Sequence, residues 1–147
     1  MKKTNNKGFS LVELIVVIAI MAVLIGVLAP TFTKYVERSR KSTDVQNAAS
    51  VITAVQTYAA DPMITTDKLA STATVTLKYN AAPAFTGNAD KALAAAGVSD
   101  VQLKSDKWAV SGTAGQVVLT FTVGTDGSVT VASDCTTATN DIIKGTY

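Results

Sequence analysis

The sequence predicts an α+β chain: a long N-terminal α-helix, apolar and protruding in its first half and amphipathic in its second, packed on a head with a three- or four-stranded antiparallel sheet. Three observations predict it. Phe9 to Ala29 reads FSLVELIVVIAIMAVLIGVLA, twenty-one residues with one charge, Glu13. From Val45 to Ala59 apolar residues recur at helical spacing. Beyond Met63 the pattern changes to short alternating runs separated by Gly and Asp turns.

The apolar run comes first. A helix of that length rises about 31 Å, enough to cross a hydrocarbon core. Lys2, Lys3 and Lys7 precede it and mark a cytoplasmic flank. An ordinary secretory signal peptide would be cut after small residues such as Val27-Leu28-Ala29, but Pro30 would then follow the cut directly. A plain transmembrane anchor has no reason to hold Glu13, because an ionisable group in a membrane is costly without a partner. Gly26 and Pro30 both weaken the helix, glycine by about 1 kcal/mol and proline by about 3 kcal/mol, so a kink is expected there.

Helical patterning resumes through Ala60. Val45, Ala48, Ala49, Ile52, Val55 and Ala59 share one face, and Gln46, Asn47, Ser50, Thr53 and Thr57 the other, so the first set is expected to lie on the sheet. Asp61-Pro62 ends the helix, since the residue before proline avoids the α region. Lys34, Glu37, Arg38, Arg40 and Lys41 form a charged cluster just past the apolar run, suited either to lipid headgroups and a neighbour's acids or to a solvated face.

In the head, Thr74 to Tyr79 alternates and reads either as a strand or as a loop. Asn88 is placed to cap a short helix over residues 89–96, stopped by Gly97. Val101 to Val110, with Trp108, reads as strand. Gln116 to Val123 is the clearest strand and Ser128 to Ser133 the next, joined by Thr125-Asp126-Gly127, a hairpin signal.

Composition narrows the function. The chain has 147 residues, 48% hydrophobic and 16% charged, with no histidine and a formal charge of +2. The missing histidine removes the commonest general base and metal ligand, and the small charge argues against a nucleic-acid binder driven by phosphate neutralisation. Cys135 stands alone, so no internal disulfide is possible. Oxygen ligands between Asp134 and Asp141 follow no recognised calcium spacing. No catalytic constellation, metal site or cofactor site emerges, and an enzyme is not expected.

The short basic leader ending Lys7-Gly8, followed by Phe9-Ser10-Leu11-Val12-Glu13, resembles the type IV prepilin signature, and the resemblance extends to about Lys41. It implies cleavage after Gly8 by a prepilin peptidase that then methylates the amine of Phe9. It also implies a leader at 1–8, a transmembrane or filament-core helix at 9–30, an amphipathic helix at 31–61 and a head at 62–147. Pro30 falls at the family's usual kink position. Glu13 would promote assembly by meeting a neighbouring subunit's amine, an attraction of roughly 4 kcal/mol at 4 Å and an effective dielectric near 20. Cleavage removes three lysines and leaves ten basic and eleven acidic side chains.

The implied partners are further copies in a helical filament, the peptidase, a membrane platform protein, an assembly ATPase and, before assembly, the cytoplasmic membrane; nucleic acid stays open. The leading reading is a type IV pilin, displayed on the cell surface. A pseudopilin of type II secretion or competence uses the same N-terminus, and a membrane-anchored binding domain that never polymerises is the alternative of a different class. The lone cysteine departs from the disulfide-closed heads of many Gram-negative members and points to a Gram-positive-type pilin or a pseudopilin.

Overall fold

The computed structural model describes residues 9–108, 113–137 and 140–145. It is α+β: one helix of fifty residues, α1 (Leu11–Ala60), and a four-stranded antiparallel sheet. The chain forms two compact units divided inside α1, between Val36 and Glu37.

In the second unit, β1 (Thr72–Lys78), β2 (Ala84–Thr86), β3 (Gln116–Val123) and β4 (Val129–Ser133) lie in the order β2-β1-β3-β4. A two-residue pairing, β5 (Thr136–Thr137) with β6 (Asn140–Asp141), follows. A short helix, α2 (Ala89–Ala95), links β2 to the rest. Alternation decides which face is buried. Ala73, Val75 and Leu77 of β1 and Val117, Leu119 and Phe121 of β3 point inward and are fully buried. They join Ala48, Val51 and Val55 of α1 and Ala89, Ala92 and Leu93 of α2 in one core. The outer face is rich in threonine, and Thr74 and Thr86 share a hydroxyl–hydroxyl hydrogen bond of 2.8 Å.

The β3–β4 connection is the turn expected at Thr125-Asp126-Gly127. Gly124 N–H donates to the Ser128 carbonyl at 2.8 Å, and Gly127 takes a φ of 82° that an L side chain rarely adopts. Gly87 is more constrained, because a Cβ there would come 2.7 Å from the Thr72 carbonyl oxygen.

The structure corrects three expectations. Asn88 does not cap α2 through its side chain: it sits in the left-handed region at φ 65° and donates Nδ2–H to the Lys68 carbonyl at 2.9 Å. At the other end Gly97 and Val98 close a Schellman motif, their N–H groups reaching Ala94 and Leu93. The segment expected as strand over 101–110 is irregular through Trp108, with one bridge, Leu103 to Tyr79; Ala109 and Val110 lie outside the described residues. The buried face of α1 overlaps the one expected but is turned from it: Ala48 and Val55 are buried and Val45 and Ile52 pack against the core, but Asp44, Val51 and Ala54 are buried as well and Ala49 is exposed.

Asp44 explains both of the last two. Its carboxylate accepts hydrogen bonds from Lys104 N–H at 2.6 Å, Ser105 N–H at 3.0 Å and Trp108 Nε1–H at 2.8 Å. Those N–H groups are spent on a side chain rather than a strand ladder, so the segment stays irregular without orphaning buried donors. Asn47 adds a bond from Nδ2 to the Gln102 carbonyl, Glu37 accepts from the Ser105 hydroxyl, and Lys41 lies 5.0 Å over the Trp108 ring.

Burial pushes the Asp44 carboxyl above the ordinary range, against the pull of its three donors, and the nearby Glu37 charge pushes the same way. The folded state therefore holds this proton to higher pH than the unfolded chain does. That contribution favours the fold below the ordinary carboxylate range and is lost as pH rises through the raised value. Two outcomes are expected for the full chain in detergent. Asp44→Ala strands three buried donors and should cost about 3 kcal/mol in denaturant melts at neutral pH, with a red-shifted Trp108 emission. Compared with the non-titrating Asp44→Asn, wild type should gain stability as pH falls from about 7 toward about 4.

Candidate functional site

The residues singled out at the N-terminus belong to the first unit. α1 begins at Leu11 behind Ser10, and Glu13 occupies the third helical position. Ser10 N–H donates to Glu13 Oε2 at 3.0 Å. This is the backbone half of a capping box: a glutamate at the third position reaches back to an N–H that the helix leaves without a partner. The Ser10-x-x-Glu13 spacing carried that signal in the sequence, but the assembly role implied for Glu13 obscured it. A carboxylate in the first turn also meets the positive end of the helix dipole.

From Glu13 to Tyr35 the helix buries nothing. The large apolar side chains from Leu11 to Leu28 are 45–73% exposed, and Phe9 is 90% exposed. An eighteen-residue window has mean hydropathy 3.1, and by length and composition the helix can cross a membrane. A run exposing this much apolar surface is built for a solvent other than water or for a partner. Gly8 and the rest of 1–8 lie outside the described residues.

Gly26 and Pro30 both lie inside α1, which is helical throughout. Proline has no N–H, so the Gly26 carbonyl lacks its usual donor four residues on. The Thr33 hydroxyl donates to the Pro30 carbonyl at 3.0 Å. A Cβ added at Gly26 would meet nothing within 4 Å.

The head offers little chemistry. Among the described residues no group of three or more His, Cys, Asp or Glu is placed to hold a metal. Asp134 accepts from Val118 N–H, and Asp141 from Ile143 and Lys144 N–H, so these acids organise their own loops. Cys135 is buried, and burial pushes its thiol up, away from a reactive thiolate. A shallow cavity of about 280 Å³ lies between the end of α1 and the β3–β4 turn, lined by Tyr58, Asp61, Lys68 and Thr125 among others.

Comparison with known proteins bears on the same segment. Residues 3–29 match the family described as the prokaryotic N-terminal methylation motif. The N-terminal segment carries that motif and is similar to proteins named as type IV pilins and fimbrial subunits. Prepilin peptidase-dependent protein A of Clostridium perfringens is 36% identical over 63 residues, 43% of this chain and 45% of that protein. The type IV major fimbrial protein FimA of Dichelobacter nodosus is 34% identical over 59 residues, covering 40% and 38%. The type IV major pilin protein PilA of Myxococcus xanthus is 35% identical over 54 residues, covering 37% and 24%. The chain thus spans less than half the length of these curated relatives. No solved structure matches it. The motif match covers residues 3–29, which reach into the first half of α1.

The open space at Gly26 gives a prediction. Gly26→Ala should accumulate in membranes at the wild-type level, and in detergent it should slow amide exchange around residues 26–30, since the helix gains about 1 kcal/mol there. Pro30→Ala should slow the same amides further.

Proposed function

We propose that this chain is a pilin, a structural subunit that polymerises through its N-terminal helix into a type IV pilus. The observation that carries this reading is an apolar helix with no partner of its own for its first nineteen residues and a single carboxylate at its head. In this reading the peptidase cuts between Gly8 and Phe9 and methylates Phe9, and the leader is 1–8. The segment 9–30 anchors the subunit in the cytoplasmic membrane and then enters the filament core, 31–61 supports the head, and 62–147 faces outward on the cell surface. Gly26 and Pro30 supply a weak turn at which the helix can bend or extend. A membrane platform protein and an assembly ATPase complete the apparatus, and the role is structural rather than catalytic. The relatives named as major pilin and fimbrial proteins support a pilus subunit, and adhesion, motility or aggregation is the service proposed for that pilus. A pseudopilin of a secretion or competence apparatus is the second reading, favoured by the same N-terminal motif.

Glu13 carries two roles that substitution can separate. Glutamine keeps a capping oxygen for Ser10 N–H but loses the charge, whereas alanine loses both. Glu13→Ala and Glu13→Gln should both insert and be cleaved, yet both should fail to build filaments, because the deciding contact is with a neighbour's positive amine. Normal filaments from Glu13→Gln would show that capping, not charge, is what Glu13 supplies. Mass spectrometry of the mature chain should show an N-methylated Phe9. An intact or unmethylated N-terminus would favour an anchored domain. Long filaments composed mainly of this chain, seen by electron microscopy, separate the pilin from the pseudopilin.

A further inference from the structure

The second unit distributes its charges unevenly along α1, although exposed Asp134, and Asp141 paired with Lys144, lie with Lys41 within electrostatic reach of Cys135 at the end where α1 enters. At the end where α1 enters it, the helix carries Arg38, Arg40 and Lys41. The segment pinned by Asp44 brings Lys104 and Lys107 to the same end: Lys104 N–H donates to Asp44, and Lys107 N–H to the Ser105 hydroxyl. Arg38, Arg40, Lys104 and Lys107 are exposed. The carboxylates of segments 37–44 and 103–108 are mostly engaged. Asp44 is buried under three donors, and Glu37 holds Ser105 and lies 3.9 Å from Arg40. Asp106 alone of those acids is exposed.

About 29 Å further along the helix the sign reverses. α1 ends at Ala60 with no basic residue in its last turn, so its partial negative charge is uncompensated there. Exposed Asp61 follows. The cavity at this end joins Asp61 and Lys68 to Gly124, Thr125 and Gly127 of the β3–β4 turn, so Asp126 stands beside it. Asp67, whose carbonyl accepts the Tyr58 hydroxyl, is exposed at the same end. Hydrogen bonds from the Ser128 hydroxyl and N–H hold Asp126 below the usual carboxylate range. Lys68 is the opposing cation among these residues.

We propose that the two ends are complementary docking surfaces, the basic end of one head seating against the acidic end of a second copy of this chain. The proposal rests on the filament reading above. Copies arranged head to tail in one direction present unlike ends to each other, which is the heterologous, non-closing contact a filament requires. Copies in opposed directions would bring like ends together. At 0.1 M salt such charges act over about 10 Å, so they set direction and register, while burial of the apolar helix supplies most of the adhesion. Anionic lipid headgroups could meet the basic end but would leave the acidic end without a role.

The test uses the full-length chain in expressing cells, with filaments sheared, quantified and imaged. The Arg38→Glu, Lys104→Glu, Lys107→Glu triple should lower filament yield about tenfold, a difference of about 1.4 kcal/mol per contact. The Asp61→Asn, Asp67→Lys, Asp126→Asn triple should lower it similarly; asparagine keeps the acceptors that Met63 and Ser128 use. Joining both triples should restore the yield to within about twofold of wild type. Wild-type yield should also fall as ionic strength rises from about 0.05 to about 0.5 M, a readout that needs no variant. Undiminished yield from either triple, a combined variant that stays low, or a yield insensitive to salt overturns the proposal. So does loss confined to the basic-end triple together with weakened binding to vesicles of anionic phospholipid, which assigns that end to lipid. Wild-type chain that is cleaved and methylated yet never forms filaments defeats the filament reading itself, a different result from any of these.

Discussion

One helix must serve two environments, and that constraint shapes the rest of the molecule. From Leu11 to Ala29 α1 is apolar on every side and finds no partner in its own unit. From Asp44 to Val55 it is one-sided, burying a narrow stripe against a sheet. A helix that is apolar all round is stable where backbone groups must be satisfied internally, and a one-sided helix where a core supplies the packing. Between these regimes lie Pro30 and the cluster from Lys34 to Lys41, where apolar patterning stops and charge begins.

The second half needs a fastener because its stripe is made of small residues. Ala48, Val51, Ala54 and Val55 bury little area each, so apolar contact alone holds the sheet to the helix weakly. Asp44 adds directional bonds at the edge of that stripe and recruits Trp108, the largest buried side chain, to lie alongside. Burying a carboxylate is costly, and the raised affinity for a proton is the measure of it. Three N–H donors converge to offset that cost, and they come from one short segment, 104–108, which is thereby held in a conformation no ladder would choose.

These facts mark where sequence reasoning reaches and where it stops. β3 and β4 were legible because alternation, a Gly-containing turn and pairing between neighbours in sequence are all local signals. β1 was legible, but β2, three residues long, carries too little pattern to be seen. Residues 101–108 have the Val, Leu and Trp content of a strand, and only the distant Asp44, some sixty positions earlier, diverts their N–H groups. The same blindness hid the true face of α1: an aspartate counts as polar in any periodicity, although here it is among the most buried residues. At the N-terminus the reverse held. The basic residues before Gly8, the apolar run and Glu13 are contiguous, so the resemblance to prepilins was visible at once, while the basic end of the head required the fold to bring the segment of Lys104 and Lys107 to the Glu37–Arg40 end of α1.

The capping bond of Glu13 is compatible with the assembly role proposed for it, and stoichiometry shows why. A carboxylate has two oxygens with about four acceptor positions between them, and Ser10 N–H takes one position on Oε2. Cleavage at Gly8 would leave Phe9 as the new terminus, its amine one residue before that N–H. Were Glu13 wholly engaged in capping, a neighbour's amine would have to displace the cap, and docking would cost the helix its first turn. With one oxygen engaged, the other can receive an ammonium while the cap persists. The cap then holds the side chain against the helix end before any partner arrives, reducing the rotamer entropy lost when one does. On the proposed reading, a residue that a membrane would otherwise penalise is thereby oriented for the contact that would relieve the penalty.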